Sequence, residues 1–150
     1  MANSKREGYR GYCNPNEFGG NRIPIPIQNL IMRDYANRRN LMFKLSVNEL
    51  NFPNCYVQLM NMLKQIPNLE GVLICSLFIL PKERDMRTAI YESFLSHNAE
   101  LHLVMENAII RSPQDVEKME SIITISETLL TCPTSMPDDL LPHLSQADFS

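Results

Sequence analysis

The sequence has four cysteines, but no two of them are close enough to form a local metal-binding pair. They are Cys13, Cys55, Cys75 and Cys132, whereas structural zinc sites need closely spaced thiolates. We therefore expect neither a metal nor a cofactor. Cys55 and Cys75 lie in apolar runs and are expected to be small core residues. Without a disulfide framework or a signal peptide, the sequence fits a reducing compartment, and we expect a cytoplasmic protein.

The sequence also lacks a long apolar run and an excess of positive charge. Its longest apolar run, Val72 to Leu80, is far too short to cross a bilayer, so we expect no membrane association. The formal net charge is −3, which argues against a nucleic-acid backbone as the dominant partner. Between Lys5 and Arg39, however, seven Lys and Arg residues stand against three acidic ones. This region is either a solvated surface or the place where a local anionic ligand binds.

The hydrophobic pattern of the 150 residues predicts one domain in which strands alternate with helices. Apolar or alternating runs predict strands at Tyr9–Cys13, Leu41–Val47, Gly71–Leu80 and Leu101–Ile110. Helical spacing of apolar residues predicts helices at about 27–39, 54–66, 86–95 and 113–131. We therefore expect an α/β fold with a four-stranded, mostly parallel sheet of flavodoxin-like order, flanked by about four helices over residues 1–131. Residues 132–150 are either a loose tail or a short helix docked on a partner.

In such sheets ligands bind at the carboxyl ends of the strands. This rule selects Tyr12, Cys13 and Asn14 after the first strand, Ser46 and Glu49 after the second, and Glu106 and Asn107 at the fourth. Ser76 joins them only if the third strand ends early. The rule thus identifies a candidate crevice without any reaction motif.

Three of these side chains are candidates for chemistry. Glu106 is a carboxylate at the apparent end of a buried strand, so it should meet an arginine or face the crevice. Cys13 would be a nucleophile if Arg10 or Arg22 lowered its pKa, and Ser46 would assist. Catalytic roles are therefore predicted for Glu106, Cys13 and Ser46.

Arginines are the candidate anion ligands. Arg22 lies in the Gly- and Pro-rich loop before the first helix, where a guanidinium could clamp a carboxylate or phosphate. Arg33 and Asp34 interrupt that helix, and Asp34 is expected near the edge of the core, paired with Arg38 at i+4. The residues predicted to contact a ligand are Arg10, Tyr12, Asn14, Arg22, Arg33 and Ser76.

The order of elements resembles the catalytic domain of serine recombinases. It consists of a strand, a long loop with an arginine, a helix with Gln28 near its start and three further β-α units. The resemblance implies a resolvase-like fold, and in that family a nucleophilic serine just after the first strand. This chain has Cys13 and Asn14 there, and no basic helix-turn-helix module follows.

Several short stretches resemble a small bacterial family, the sporadic carbohydrate cluster proteins. These are Gly8–Tyr12, Gly20–Pro24, Gln28–Tyr35, Glu70–Leu73 and Leu80–Pro81, and the resemblance covers roughly residues 8 to 130. It implies a role in surface-carbohydrate synthesis, but no reaction and no catalytic residues.

Three functions are consistent with these observations. The first is an enzyme acting on a small, anionic, sugar-derived metabolite, with Arg10 and Arg22 holding the anion and Glu106 as acid or base. The second is a non-catalytic partner or scaffold of such a pathway, either a homo-oligomer or a protein that binds another pathway protein. The third is a diverged recombinase-like nucleic-acid protein.

Overall fold

The computed structural model describes residues 7–20 and 22–131. The strands are β1 (Tyr9–Cys13), β2 (Val47–Asn48), β3 (Gly71–Ile74), β4 (Glu100–Leu103) and β5 (Ala108–Ile110). The helices are α1 (Ile25–Arg38), α2 (Val57–Leu63), α3 (Arg84–Ser96) and α4 (Pro113–Thr131), with short 3₁₀ turns at Ile66–Asn68 and Leu77–Ile79. The chain divides into two compact units, Met1–Glu117 and Lys118–Ser150. All five strands and the first three helices belong to the first unit, and the described part of the second is the remainder of α4.

The strands form one sheet of order β2-β1-β3-β4-β5. The first three neighbouring pairs are parallel, and β4 pairs with β5 in antiparallel fashion. The predicted α/β class, the flavodoxin-like order and the mostly parallel pairing are confirmed. The predicted number of four strands is wrong, because the sheet has five.

The extra strand arises because the predicted strand Leu101–Ile110 is a hairpin. The chain turns at residues 104–107, and Leu101 pairs with Ile110 across it. Asn107 occupies the left-handed region at φ 51°, a backbone conformation that asparagine tolerates better than most residues. The apolar run from Leu101 to Ile110 therefore contains a turn that the hydrophobic pattern does not indicate.

Two other predicted strands are shorter than expected. The segment Leu41–Val47 contributes only an isolated parallel bridge between Phe43 and Tyr9, followed by the two residues of β2. β3 ends at Ile74 rather than at Leu80, because Ser76 Oγ accepts the Phe78 N–H and starts a 3₁₀ turn. Ser76 therefore does follow a strand, the condition on which its place in the crevice depended.

Of the two helix starts for which a capping residue was predicted, one is correct and one is wrong. α4 begins as predicted, with Pro113 in its first turn and with Asp115 Oδ2 accepting from the backbone N–H and hydroxyl of Ser112. α2 does not begin after Asn54, which has a φ of 56°. Tyr56 occupies the N-cap position, and its side chain makes no capping hydrogen bond. The carboxylate of Glu49 accepts the first N–H groups of the helix instead.

Helices pack on both faces of the sheet. On one face α1 lies against β1 so closely that a Cβ on Gly11 would approach Met32 Cε and the Phe43 ring to 2.9 Å. On the other face the Tyr12 hydroxyl meets Glu49 at the start of α2, and α2 in turn contacts α3. Large side chains are fully buried along the sheet, and they include Tyr12, Leu73, Ile74, Leu101 and Leu103.

None of the helices within the described residues is long and apolar enough to span a membrane. The predicted tail, residues 132–150, lies outside the described residues, and so does Cys132.

Candidate functional site: a sealed crevice and an open groove

The crevice at the carboxyl end of β1 contains a buried hydrogen-bonded chain of Tyr12, Asn14 and Glu49. Tyr12 donates its hydroxyl proton to Glu49 Oε1 at 2.7 Å, and Asn14 Nδ2 donates to the Tyr12 hydroxyl oxygen at 3.3 Å. All three residues are buried. Two side chains predicted to contact a ligand, Tyr12 and Asn14, are therefore brought together, but they bind each other and Glu49.

Glu49 supplies the cap that α2 lacks locally. Its carboxylate accepts the backbone N–H groups of Leu50, Gln58 and Leu59 at 3.1, 3.0 and 3.2 Å. Burial alone would raise the pKa of Glu49, but the hydrogen bonds from Tyr12 and from these N–H groups outweigh it and lower the pKa. Glu49 is thus an ionised carboxylate at the positive end of a short helix, tied to β1 through Tyr12.

Gln28 closes the crevice from the α1 side. Its Nε2 donates to the carbonyl oxygens of Asn14 and Ile23, both at 2.7 Å, and its Oε1 accepts the Asn14 N–H at 3.1 Å. A fully buried amide with all of these bonds holds the loop after β1 against the helix. The sequence indicated Gln28 only through the resemblances to known families. Its backbone partners, Asn14 and Ile23, lie in a loop that has no recognisable motif.

Cys13 is the last residue of β1 and directly precedes Asn14. It is 0% exposed, and burial raises the pKa of its thiol to about 11 despite a hydrogen bond with Ser46. Ser46 in turn donates to Asn29 Oδ1. The expectation that Arg10 or Arg22 lowers the pKa of Cys13 is wrong, because neither arginine contributes and burial dominates.

Ser76 and Glu106 form a second pair, at the ends of β3 and β4. Ser76 Oγ donates to Glu106 Oε2 at 2.8 Å, and the Leu77 N–H donates to Glu106 Oε1 at 2.8 Å. Glu106 was expected to meet an arginine or to face the crevice. Its carboxylate accepts from Ser76 and from the Leu77 N–H at the start of a 3₁₀ turn. The nearby arginine, Arg39, donates to Asn107 Oδ1 at 2.6 Å rather than to Glu106.

Arg10 and Arg33 lie together in an open groove of about 1150 Å³ beside β1. The groove is lined by residues of α1, of the segment 41–45 and of the turn 65–69. Arg10 donates to the Leu45 carbonyl oxygen at 3.1 Å and to Gln65 Oε1 at 2.6 Å, so its partners are neutral. Arg33 is exposed, and no hydrogen bond or ion pair joins it to the rest of the described chain. Arg22, also exposed, is not among the lining residues.

The carboxylates of the groove are already paired. Glu7 binds Lys44, and Asp34 binds Arg38 Nε at 2.9 Å. The predicted Asp34–Arg38 pair is therefore confirmed, but Asp34 is exposed rather than at the edge of the core. No carboxylate of residues 7–20 or 22–131 pairs with the guanidinium groups of Arg10 and Arg33.

A cluster on the α1 face of the sheet was missed, and its Tyr9, Tyr35 and His102 are buried. Tyr35 OH lies 2.6 Å from His102 Nδ1, and His102 Nε2 lies 2.8 Å from Glu100 Oε1, which also accepts the Tyr9 hydroxyl at 2.7 Å. Arg111 Nε completes the cluster at 2.8 Å from Glu100 Oε2. Its directly bonded members are up to 91 residues apart, and only the position of His102 between two leucines in an apolar run indicated burial. Within residues 7–20 and 22–131, no three His, Cys, Asp or Glu side chains are placed to hold a metal ion.

Comparisons with known proteins find the fold but no family. No protein-family model and no curated protein matches the chain, so the resemblance to sporadic carbohydrate cluster proteins gains no support. Among solved structures, the N-terminal catalytic domain of TP901-1 integrase is similar, with a TM-score of 0.63 at 15% identity, over 80% of this chain and 94% of that one. A resolvase family site-specific recombinase from Streptococcus pneumoniae is similar too, with a TM-score of 0.57 at 10% identity, over 93% and 99%. The predicted resolvase-like fold is confirmed: this chain has the fold of recombinase catalytic domains.

Proposed function

We propose that this chain is a diverged recombinase-fold protein that binds nucleic acid without cutting it. The environment of Cys13 carries the proposal, because the recombinase resemblance implies a nucleophile just after β1. A nucleophilic thiol must be accessible and largely ionised near neutral pH. Cys13 is 0% exposed with a pKa raised to about 11, and its hydrogen-bond partner is the hydroxyl of Ser46 rather than a base. The position is therefore occupied by a core residue.

The likeness to an integrase and to a site-specific recombinase supports nucleic acid as the partner. The charge distribution supports it as well. Residues 7–64 contain seven Lys and Arg against four Asp and Glu, whereas residues 65–131 contain five against ten. Phosphate contacts come from Lys and Arg, so binding belongs to the first of these regions and should weaken steeply with salt.

The test is fluorescence anisotropy of a labelled DNA duplex titrated with the full chain at low and at moderate salt. The double variant Arg22→Glu with Arg38→Glu should bind more weakly and reduce the salt slope by about two, since each lost phosphate contact removes about one. Lys82→Glu with Lys118→Glu makes the same charge change in the acidic part of the chain and should leave affinity nearly unchanged. Binding that ignores salt, or equal losses in both double variants, contradicts the proposal.

A second candidate function is binding of a small anionic, sugar-derived metabolite, which the groove with Arg10 and Arg33 favours. The predicted catalytic residues Glu106, Cys13 and Ser46 do not line that groove, so we propose binding rather than turnover for this candidate. A thermal-shift screen of sugar phosphates, nucleotide sugars and sialic-acid-like acids tests it. The candidate predicts stabilisation of the natural chain that Arg33→Ala abolishes, and a flat response to every compound rejects it.

A further inference from the structure

The floor of the groove is an open edge of the sheet. β2 is the outermost strand, and residues 41–45 extend the same edge. The Met42 carbonyl accepts from the Tyr9 N–H at 2.8 Å, and the Lys44 N–H donates to the Tyr9 carbonyl at 2.7 Å. In a parallel bridge of this kind the N–H and C=O of the intervening residue, Phe43, point away from the sheet. The N–H and C=O of Phe43 have no backbone partner in the described part of the chain, whereas the Leu41 N–H bonds to the Ala36 carbonyl oxygen at 2.8 Å.

Two apolar side chains of this edge, Met42 and Leu45, are largely exposed. Met42 is 66% and Leu45 75% exposed, and Leu30 on the adjoining wall of α1 is 62% exposed. Proteins normally protect sheet edges with charges, prolines or a covering element. A row of exposed apolar residues along an open edge is typical of a surface to which another chain adds.

The charges of the groove select an acidic occupant. Glu7 and Asp34 are neutralised by Lys44 and Arg38, whereas Arg33 has no partner in the described chain and Arg10 has only neutral ones. The two arginines lie on opposite faces of the sheet at this edge. Arg33 belongs to α1, which covers one face, and Arg10 lies on the other face, where it donates to Gln65. Successive residues of a strand alternate between faces, so two adjacent acidic residues on an added strand can each reach one arginine.

We propose that this groove binds an extended, acidic segment of a partner protein, which adds as a strand to the outer side of residues 41–45. Backbone hydrogen bonds to Phe43 provide the register, and carboxylates against Arg10 and Arg33 provide the specificity. This interaction surface goes beyond the proposed nucleic-acid function and does not depend on it.

The test uses a fluorescein-labelled peptide, Thr-Val-Glu-Glu-Val-Thr, titrated into the full chain. The proposal predicts that replacing both glutamates with glutamine weakens binding roughly tenfold or more, and that methylation of the central amide nitrogens does the same because it removes strand pairing. Arg33→Glu should abolish binding. Lys82→Glu, an equal charge change at an exposed site outside the groove, should not alter it.

Each contrary result has a definite meaning. Equal affinity of the glutamate and glutamine peptides overturns the acidic specificity, and indifference to N-methylation overturns strand addition. Displacement of the peptide by a free sialic-acid-like acid at similar concentration makes the groove a small-anion site and overturns the proposal. DNA that competes with the peptide and also loses affinity in Arg33→Glu makes the groove a nucleic-acid site. If no peptide binds while DNA still binds elsewhere, only this inference fails.

Discussion

The crevice after β1 and the groove beside it begin two residues apart, at Tyr12 and at Arg10. The polar side chains of the two places nevertheless differ in how they are paired. In the crevice Tyr12, Asn14 and Glu49 satisfy one another, and no buried side-chain N or O atom in the described chain lacks a partner. In the groove the guanidinium groups of Arg10 and Arg33 face neutral acceptors or solvent. The difference indicates that the crevice stabilises the fold, whereas the groove is available for binding.

Removing the Glu49 carboxylate should produce the largest loss of stability. Glu49→Ala leaves the Tyr12 hydroxyl and three backbone N–H groups without their acceptor, which should cost on the order of 3 kcal/mol of unfolding free energy. Urea denaturation followed by circular dichroism measures it. Glu49→Gln keeps an acceptor and the shape, so its loss should be smaller. A loss below about 0.5 kcal/mol for Glu49→Ala would mean that the crevice is not structural.

Gln28→Ala should weaken the crevice by a smaller amount and open it. Three hydrogen bonds between α1 and the loop after β1 disappear, at a cost of about 2 kcal/mol. Because Cys13 directly precedes Asn14, whose backbone N–H and carbonyl both bond to Gln28, alkylation of that thiol in the native state should also become faster. The exposed Gln114→Ala is the matched control and should change neither quantity. If Cys13 is alkylated as slowly in Gln28→Ala as in the natural chain, Gln28 does not keep the crevice closed.

Acid should destabilise the protein in two steps. Burial lowers the pKa of His102 below its ordinary value of 6.5, although Glu100 opposes this. Burial would raise the pKa of Glu49 and Glu100, but their hydrogen-bond donors lower both below 4.5. A group with a lowered pKa binds fewer protons when folded, so its contribution is complete above the ordinary pKa and is lost as the pH falls below it.

The urea midpoint should therefore fall first as the pH drops through about 6.5, and further below about 4.5. His102→Gln should remove the first step and leave the part of the second that Glu49 contributes, since Glu100 loses its bond to His102. A midpoint that rises on acidification contradicts the assignment of these groups.

The smallest effect on stability is expected in the groove. Arg33→Ala removes no hydrogen bond within the described chain, so its unfolding free energy should stay within about 0.5 kcal/mol of the natural chain. The same substitution should weaken the binding of an anionic partner in the groove. Urea denaturation and a titration with the acidic peptide separate the two. A stability loss above about 1 kcal/mol would show that the groove is structural as well.

Local patterns predicted the elements better than their boundaries. β1 and the start of α4 follow from short signals, an aromatic-rich run and the Ser112–Asp115 cap. The hairpin of β4 and β5 was missed because an apolar run predicts burial equally for one strand or for two that reverse at Asn107. The early end of β3 at Ile74 was missed because the 3₁₀ turn that follows is as apolar as the strand.

The candidate site was predictable only as a set of residue types near strand ends. The sequence selected Tyr12, Ser76 and Glu106, but their partners are 30 to 37 residues away and no local spacing indicates them. Arg10 was selected as an anion ligand, but nothing in the sequence places it in a groove with Arg33. That placement depends on the edge position of residues 41–45, which is a property of the strand order.

The central claim, that Cys13 is a sealed core residue, is tested most directly by measuring alkylation of each cysteine at neutral pH by mass spectrometry. Burial raises the pKa of Cys13 from 9.0 to about 11, which alone reduces its thiolate fraction roughly a hundredfold. We predict that Cys13 reacts at least about a hundredfold more slowly in the native chain than in urea, and after the half-buried Cys55. Native alkylation of Cys13 as fast as in urea, or faster than that of Cys55, would contradict the account and restore Cys13 as a nucleophile.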